Sequence, residues 1–219
     1  MPEIYSNIFY NAYAQNIHSQ NGEDGIIEEL LKRLDITSGW VCEFGAWDGI
    51  NLSNTFLLVE KGFNAVFIEG DTNKYNDLLN TAQKYKNIIP INSFVDYNDN
   101  QDSLDNLLSK TNIPIDFDIL SIDIDSYDYQ VWKSMKKYQP KIVIIEINSS
   151  VNTNNNDYIN DSQNYIGTGF KPTYDLGIEK GYTFVLHTGN MFFIKNELFN
   201  KLNIHYDNPL ENFRTCWYV

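Results

Sequence analysis

The sequence predicts a single α/β domain in which a doubly wound, mostly parallel sheet is followed by an antiparallel hairpin at the carboxyl end. Two observations lead to this prediction. Short runs rich in isoleucine and valine alternate with segments of helical periodicity, a pattern typical of parallel strands that helices cover on both faces. The last two strand-like runs, residues 182–187 and 191–195, flank a Thr-Gly-Asn turn, which is typical of a hairpin. The predicted sheet is Rossmann-like.

The elements follow one another in a regular order. A helix is expected after Ser19, because apolar residues recur at helical spacing as far as Leu34 and the first turn is acidic. The further strand-like runs are 40–44, 65–68, 88–91, 118–124 and 141–147, and the further helical runs are 56–61, 74–85, 103–108, 129–138 and 172–180. Residues 1–18 are interpreted as an amino-terminal extension, and the Asn-rich residues 148–171 as a lid loop. No linker or repeat interrupts the pattern, so residues 1–219 are assigned to one domain.

Composition and charge exclude several classes of protein. With 42% hydrophobic and 15% aromatic residues the chain can bury a large core, which argues against disorder. A net charge of −13 disfavours nucleic acids and anionic membranes as partners, because both are bound by clustered Lys and Arg. No window approaches the roughly 20 apolar residues of a membrane span. Cys42 and Cys216 are too far apart to indicate a disulfide framework, so a cytoplasmic location is expected.

The first segment that suggests chemistry is V-C-E-F-G-A-W-D-G, residues 41–49, at the end of the first strand. Gly45 allows a tight turn and lets a ligand approach the backbone. Trp47 stands where a dinucleotide-binding G-x-G-x-x-G turn has its second glycine and would block a pyrophosphate, and Glu43 would repel phosphates. The segment therefore favours a cationic ligand with an amino-acid head group. An ordinary strand-to-helix turn is the alternative.

The second segment, F-I-E-G-D, closes the second strand. Glu69 follows the glycine turn by about 20 residues, the offset at which an acid binds ribose hydroxyls in nucleoside-binding sheets. The alternative is a strand-end acid that caps the next helix, for which Asp71 is the better candidate. The two interpretations are compatible.

Acidic residues also follow the fourth and fifth strands. The segment S-I-D-I-D-S-Y-D contains three acids, and E-I-N adds Glu146 and Asn148. Crowded carboxylates repel one another unless a cation, a proton or a hydrogen-bonding substrate compensates their charge. We therefore hypothesise that Asp123, Glu146 and Asn148 converge on one divalent cation, Mg²⁺ being the best match to such oxygen ligands. Helix capping and solvation are the alternatives.

The histidines are scattered along the chain, and His187, next to the predicted hairpin turn, is the one candidate for a catalytic base. Ser19 and Gln20 precede the first predicted helix, where they either cap the helix or contact the ligand. Neither a Ser-His-Asp order, nor Cys/His metal spacing, nor a Walker loop is present, so hydrolase and kinase functions lose support.

At E-F-G-A-W-D-G, F-I-E-G-D, S-I-D-I-D-S-Y-D and V-I-I-E-I-N the chain resembles Rossmann-fold S-adenosylmethionine-dependent methyltransferases, closest to the FkbM-like group, over residues 19–202. The resemblance implies S-adenosylmethionine as cofactor and O-methylation of a small acceptor, a sugar or nucleotide-sugar. It implies a methionine-binding turn, a ribose-binding acid and an adenine site. With Gln20, the expected cofactor residues are Glu43, Gly45, Ala46, Asp48, Glu69, Gly70, Phe94 and Asp96.

Some related sugar O-methyltransferases bind Mg²⁺ through an acid after the fourth strand and two acids after the fifth. Asp123 and Glu146 match this pattern, whereas Ile147 replaces the second acid and Asn148 follows it. Asp123, or else Glu146, is expected to remove the proton from the acceptor hydroxyl. The competing functions are a non-catalytic binding or assembly module, which the acidic cluster disfavours, and an NAD-dependent sugar-modifying enzyme. A homo-oligomer is compatible with all three.

Overall fold

The structure, a computed structural model, describes residues 8–150, 158–160 and 167–204. These residues form one sheet of seven strands in the order β3-β2-β1-β4-β5-β7-β6. Strands β1 to β5 are parallel, and β7 runs antiparallel to both of its neighbours. The predicted doubly wound sheet with a terminal hairpin is confirmed. The strands are β1 Trp40–Phe44, β2 Asn64–Glu69, β3 Ile88–Asn92, β4 Ile119–Ile122, β5 Ile142–Glu146, β6 Tyr182–His187 and β7 Asn190–Lys195.

Eight helices accompany the sheet in the described part of the chain, followed by a short 3₁₀ turn. The first and the last were not predicted, because six and four residues are too few to show a helical period. The sixth ends several residues before the predicted boundary, because the Asp105 carboxylate accepts hydrogen bonds from the backbone amides of Lys136 and Lys137, which stand outside the helix. The helices are α1 Ile8–Tyr13, α2 Glu23–Arg33, α3 Phe56–Glu60, α4 Thr72–Lys84, α5 Leu104–Leu108, α6 Asp128–Ser134, α7 Phe170–Glu179 and α8 Asn196–Phe199.

The core consists of two apolar clusters, one on each face of the sheet. Successive side chains of a strand point to opposite faces, so β1 contributes Cys42 to one cluster and Val41 to the other. Helix α2 packs on the second face through Ile26 and Leu30.

Among the described residues no helix combines the length and the apolar character that a membrane crossing requires. Of the predicted lid, residues 151–157 and 161–166 lie outside the described part.

The order of the strands reverses between β1 and β4, and ligands of doubly wound sheets bind at the carboxyl ends of the strands beside such a reversal. The turn after β1 approaches the end of β4 closely there. Gly45 has φ 78°, and a Cβ atom at this position would lie 1.8 Å from the carbonyl oxygen of Asp123. Glycine is therefore required where the predicted cofactor turn meets the acidic segment.

Candidate active site at the carboxyl edge of the sheet

The turn after β1 is fixed to the end of β2 by its backbone. The amides of Gly45 and Ala46 both donate hydrogen bonds to the Ile68 carbonyl oxygen, each at 3.1 Å. Trp47 adopts φ 45°, which is uncommon for a bulky residue, and its amide donates to Oε2 of Glu69 at 2.8 Å. Glu69, the carboxylate predicted to bind ribose, thus also holds the turn that is predicted to bind the methionine moiety.

The surroundings of Glu69 form a corner suited to a nucleoside. The side chain is buried, and its second oxygen accepts a hydrogen bond from the Asp71 amide at 2.7 Å. A carboxylate has about four lone-pair sites, so both oxygens retain capacity for hydroxyl donors. The ring of Phe94 lies over Gly70, where a Cβ atom would come within 2.3 Å of it, and Phe94 as a residue is 77% exposed. An acceptor carboxylate and an open aromatic face are thus neighbours.

Two other expected cofactor residues use their carboxylates locally. Asp96 accepts a hydrogen bond from the Asn98 amide at 2.9 Å, which lowers the pKa of Asp96. Asp48 accepts hydrogen bonds from the amides of Ile50 and Asn51 at 2.9 and 2.8 Å. Both carboxylates shape the loops that border the corner, and their direct contact with a cofactor stays a prediction.

Glu43 is buried, and its partners belong to the loop before α3. Its carboxylate accepts hydrogen bonds from the Ser53 hydroxyl at 2.9 Å, the Asn54 amide at 3.3 Å, and the amide and hydroxyl of Thr55 at 3.0 and 2.5 Å. Burial raises the pKa of Glu43, and these hydrogen bonds oppose the rise. The structure therefore shows Glu43 anchoring this loop to β1, and sequence analysis did not foresee that role.

Three carboxyl groups meet where β4 and β5 end. Asp123 follows β4, Asp125 lies in the next loop, and Glu146 closes β5; one oxygen of each lies within 4.8 Å of the others. Asp125 has φ 59°, a left-handed conformation that costs a non-glycine residue about 1 kcal/mol or more. The sequence predicts that Asp123 and Glu146 lie together but not that Asp125 joins them, because loop conformation decides where that side chain points.

A fourth acid, Asp128, fixes the backbone of the loop that carries Asp125. Asp128, the buried first residue of α6, accepts hydrogen bonds from the amides of Ile124 and Ser126 at 2.8 and 3.0 Å. Burial raises the pKa of Asp128 to about 6. Its bonds clamp the residues on both sides of Asp125 and so hold that residue in its left-handed conformation.

The acidic cluster is electrostatically unfavourable by itself. Burial, followed by the charges of Asp128 and Asp125, raises the pKa of Asp123 well above its ordinary value. Burial, followed by the charge of Asp123, likewise raises the pKa of Glu146, and the two carboxyl groups are hydrogen-bonded to each other. A shared proton relieves the repulsion, and a divalent cation would relieve it more completely. The oxygen donors present fit a hard cation such as Mg²⁺.

Asn148 and His187 have other partners in this structure. The Asn148 side-chain oxygen accepts hydrogen bonds from the amide and hydroxyl of Ser150. His187 is fully buried, with Nε2 3.0 Å from the Ser149 hydroxyl oxygen. The roles of Asn148 as a metal ligand and of His187 as a catalytic base stay predictions.

The segment before α2 is held by two hydrogen bonds between Ser19 and Asp24. The Ser19 hydroxyl accepts a hydrogen bond from the Asp24 amide at 3.1 Å and donates to Oδ2 of Asp24 at 2.9 Å. The N-cap residue of α2 is Gly22, so Ser19 is not the N-cap, although its hydroxyl accepts a hydrogen bond from an amide of the first turn. Contact of Ser19 with a ligand stays a prediction. The Gln20 side chain is exposed, and its role as a cofactor residue stays a prediction.

Sequence analysis assigned no role to the start of β7, which borders the cluster. Asn190 pairs with Glu146 across the antiparallel β5–β7 ladder. Its side-chain amide donates to Oε1 of Glu23 at 3.3 Å, and the Thr188 hydroxyl donates to the same oxygen at 2.6 Å. The Thr-Gly-Asn turn was the only signal in the sequence, and it indicates a hairpin without saying what the hairpin adjoins.

No protein-family model matches the sequence, and no curated protein is significantly similar to it. Among solved structures, the chain is similar to a Staphylococcus aureus protein provisionally described as a caffeoyl-CoA O-methyltransferase, with a TM-score of 0.53 and 15% identity over 84% of this chain and 87% of that one. This similarity shows that the chain has the fold of class I methyltransferases.

Two further solved structures are more distant. M. capricolum TrmK, in complex with S-adenosylhomocysteine, has a TM-score of 0.43 and 14% identity over 76% of this chain and 67% of that one. The fibrillarin pre-rRNA processing protein of Methanococcus jannaschii has a TM-score of 0.49 and 17% identity over 72% of this chain. The present chain spans 66% of the length of that fibrillarin.

Proposed function

We propose that the chain is an S-adenosylmethionine-dependent methyltransferase that acts on a hydroxyl of a small acceptor, of the sugar or nucleotide-sugar type. The observation that carries this proposal is the corner at the ends of β1 to β3. There Glu69 holds the backbone of Trp47 and stands beside the open face of Phe94. The class I methyltransferase fold, shared with a protein described as an O-methyltransferase, supports it.

Each group at this corner would bind one part of the cofactor. The ribose hydroxyls would donate to Glu69, and the adenine would lie against Phe94. The methionine moiety would lie along the backbone of the turn after β1, the place where doubly wound sheets bind their ligands. A sulfonium cation is favoured over a dinucleotide, because the edge carries acids and Trp47 occupies the place of a phosphate-binding glycine. The assigned residues are Gln20, Glu43, Gly45, Ala46, Asp48, Glu69, Gly70, Phe94 and Asp96.

The reaction would be an in-line displacement at the sulfonium methyl group. The protein aligns the acceptor oxygen with the methyl carbon and takes the hydroxyl proton. Asp123 is our candidate base, with Glu146 sharing its proton and His187 as the alternative. Mg²⁺, if held by Asp123 and Glu146 with Asn148, would lower the pKa of the acceptor hydroxyl.

The negative net charge of the chain favours some classes of acceptor over others. With 29 acidic and 16 basic residues, the protein suits a neutral, hydroxyl-rich acceptor such as a carbohydrate better than a nucleic acid or an anionic membrane. A cytoplasmic location and a homo-oligomeric state are parts of the same proposal.

Isothermal titration calorimetry with S-adenosylhomocysteine, and separately with NAD, tests the cofactor. We expect micromolar binding of S-adenosylhomocysteine, at least tenfold weaker in Glu69→Ala. Glu69→Gln keeps one side-chain oxygen, which can still accept a hydrogen bond from the Trp47 or the Asp71 amide. Comparing the two variants separates the loss of ribose contacts from a disturbance of the turn. Asp77→Ala, an exposed acid on α4, is the matched control. Binding of NAD alone would favour the oxidoreductase, and binding of neither ligand would favour the non-catalytic module.

A further inference from the structure

Polar side chains of three neighbouring strands meet at the carboxyl edge of the sheet. Ile122 of β4 pairs with Ile145 of β5, so the residues that follow them, Asp123 and Glu146, come side by side. Glu146 in turn pairs with Asn190 at the start of β7. Side chains at directly opposed positions of an antiparallel pair project from the same face. The Asn190 carboxamide therefore stands beside Glu146, on the side away from Asp123.

The Asn190 carboxamide has its donor bound and its acceptor left over. The nitrogen donates to Oε1 of Glu23 at 3.3 Å, whereas the oxygen has no hydrogen-bond partner among the residues that the structure describes. Asn190 is 5% exposed, and a buried acceptor without a donor destabilises the fold. Because the nitrogen faces Glu23, the oxygen is turned away from that residue. A ligand that brings an N–H or O–H donor to this position would supply the missing hydrogen bond.

The carboxyl groups beside Asn190 add further acceptors and negative charge. One oxygen each of Asp123, Asp125 and Glu146 lies within 4.8 Å of the other two. None of the ion pairs found in the described part of the chain includes one of these three residues. A lining of carboxylate and carboxamide oxygens favours a group that carries a positive charge and several donors. A primary ammonium group has three N–H donors and no acceptor, so it matches this lining.

The spacing of the oxygens fits an ammonium nitrogen. Charge-assisted N–H···O bonds have N···O distances of about 2.7–2.9 Å, so tetrahedral bond directions place the bound oxygens about 4.4–4.7 Å apart. The limit of 4.8 Å between the carboxyl oxygens is compatible with this separation. Asp125 reaches its position through a left-handed backbone with φ 59°. The Asp128 carboxylate holds that backbone by hydrogen bonds to the amides on both sides of it.

We infer that Asp125, Glu146 and the carboxamide oxygen of Asn190 bind a primary ammonium group of the acceptor, with one oxygen for each N–H donor. Asp123, on the other side of Glu146, then faces a hydroxyl group on the neighbouring carbon. The acceptor is thus an amino alcohol, such as an amino sugar that is methylated on the hydroxyl next to its amine. The role of that hydroxyl rests on the proposed methyl transfer, whereas the ammonium site does not.

S-adenosylmethionine also carries a primary ammonium group, at its methionine end. The proposed place of the methionine moiety is the turn after β1, whereas Glu146 and Asn190 belong to β5 and β7. In the order of the sheet these strands lie two and three positions from β1. The acceptor is therefore the source of the ammonium group in this inference, and the test separates the two sources.

Ligand-observed nuclear magnetic resonance titrations of the full chain test the ammonium site with three small probes. Ethanolamine has an ammonium group with three N–H donors, choline has the charge without N–H donors, and ethylene glycol has neither. EDTA is present, because Mg²⁺ and an ammonium group would exclude each other at Glu146. We expect millimolar binding of ethanolamine, about tenfold tighter than that of choline or ethylene glycol. Binding of ethanolamine that is absent, or no tighter than that of choline, would overturn the inference.

Single substitutions test the residues of the site. Asp125→Asn and Asn190→Ala should each weaken ethanolamine binding about tenfold, because each removes an acceptor of a hydrogen bond from a charged donor. Asp99→Asn, the matched control in an exposed loop, should stay within about twofold of the wild type. Circular dichroism confirms that each variant is folded. Wild-type affinity in Asp125→Asn would overturn the site, and wild-type affinity in Asn190→Ala would exclude the carboxamide from it.

Calorimetric titration with S-adenosylhomocysteine, run on the same preparations, separates the two sources of the ammonium group and the two proposals. Unchanged affinity for S-adenosylhomocysteine in Asp125→Asn and Asn190→Ala supports the acceptor as the source. A parallel loss of that affinity would assign the site to the methionine end of the cofactor and overturn the inference. Binding of S-adenosylhomocysteine without ethanolamine refutes the ammonium site and leaves the methyltransferase proposal standing. Binding of ethanolamine alone supports the ammonium site and refutes the proposed cofactor.

Discussion

At the scale of single residues, two strained positions mark the edge of the sheet. Trp47 and Asp125 are non-glycine residues with positive φ. The Trp47 amide donates a hydrogen bond to the buried Glu69 carboxylate, and the amides on both sides of Asp125 donate to the buried Asp128 carboxylate. Such strain costs about 1–3 kcal/mol and persists where surrounding contacts enforce it, often at functional sites. Here one strained residue lies in the turn of the proposed cofactor site, and the other brings its carboxylate to Asp123 and Glu146.

The buried Asp128 predicts a pH dependence of stability. Its pKa rises from 3.8 in a free chain to about 6 in the fold, so the folded state binds the proton more tightly than the unfolded state does. The associated stability is fully present below about pH 4 and is lost as the pH rises through about 6. At about 1.4 kcal/mol per pH unit, the loss is roughly 3 kcal/mol.

Asp128→Asn removes this titration. Relative to the wild type, the free energy of unfolding of the variant should increase by roughly 2–2.5 kcal/mol between pH 4 and pH 7, most of the full difference, because asparagine does not ionise. Urea unfolding at both pH values in EDTA measures the difference. Since the new amide also changes the local hydrogen bonds, only the change between the two pH values is informative. An offset that is the same at both would contradict the prediction.

At the scale of the elements, helix α7 approaches β7 at a glycine. A Cβ atom at Gly177 would lie 2.3 Å from the ring of Phe193, which is fully buried. Alanine is normally better than glycine in a helix by about 1 kcal/mol. We expect Gly177→Ala nevertheless to lower the free energy of unfolding by about 1–3 kcal/mol, because the core cannot take the extra methyl group without strain.

Chemical denaturation monitored by circular dichroism checks this value. The double variant Gly177→Ala/Phe193→Leu supplies the control: a smaller side chain opposite the new methyl group should recover part of the loss, which gives a favourable coupling energy. If the loss in the double variant equals the sum of the losses in the two single variants, the contact does not limit the approach of α7.

At the scale of the whole molecule, the excess of acidic over basic residues predicts weak binding to RNA. We expect no binding of fluorescein-labelled tRNA at 150 mM salt by fluorescence anisotropy. Repeating the titration at 50 mM salt is the control, because phosphate binding strengthens steeply as salt is lowered. Saturable binding at both concentrations would contradict a small-molecule acceptor.

The sequence by itself determined the fold class, the strands and most helices. Their apolar periodicity is a local property, and so is the N-cap of α4, where Asp71 accepts hydrogen bonds from the Asn73 and Lys74 amides as predicted. The boundaries of α6 were not determined, because a carboxylate from another helix decides where α6 ends. The existence of α1 and α8 was not determined either, because six and four residues are too short to show a helical period.

Only the tertiary structure decided which polar groups meet. It turned Glu43 towards the loop before α3, brought Asp125 to Asp123, and placed Asn190 opposite Glu146. The sequence could show that acids follow the strands, since that depends on neighbours along the chain. The partner of each acid depends on strand register and on loop backbone conformation, which are set by contacts between segments far apart in the sequence.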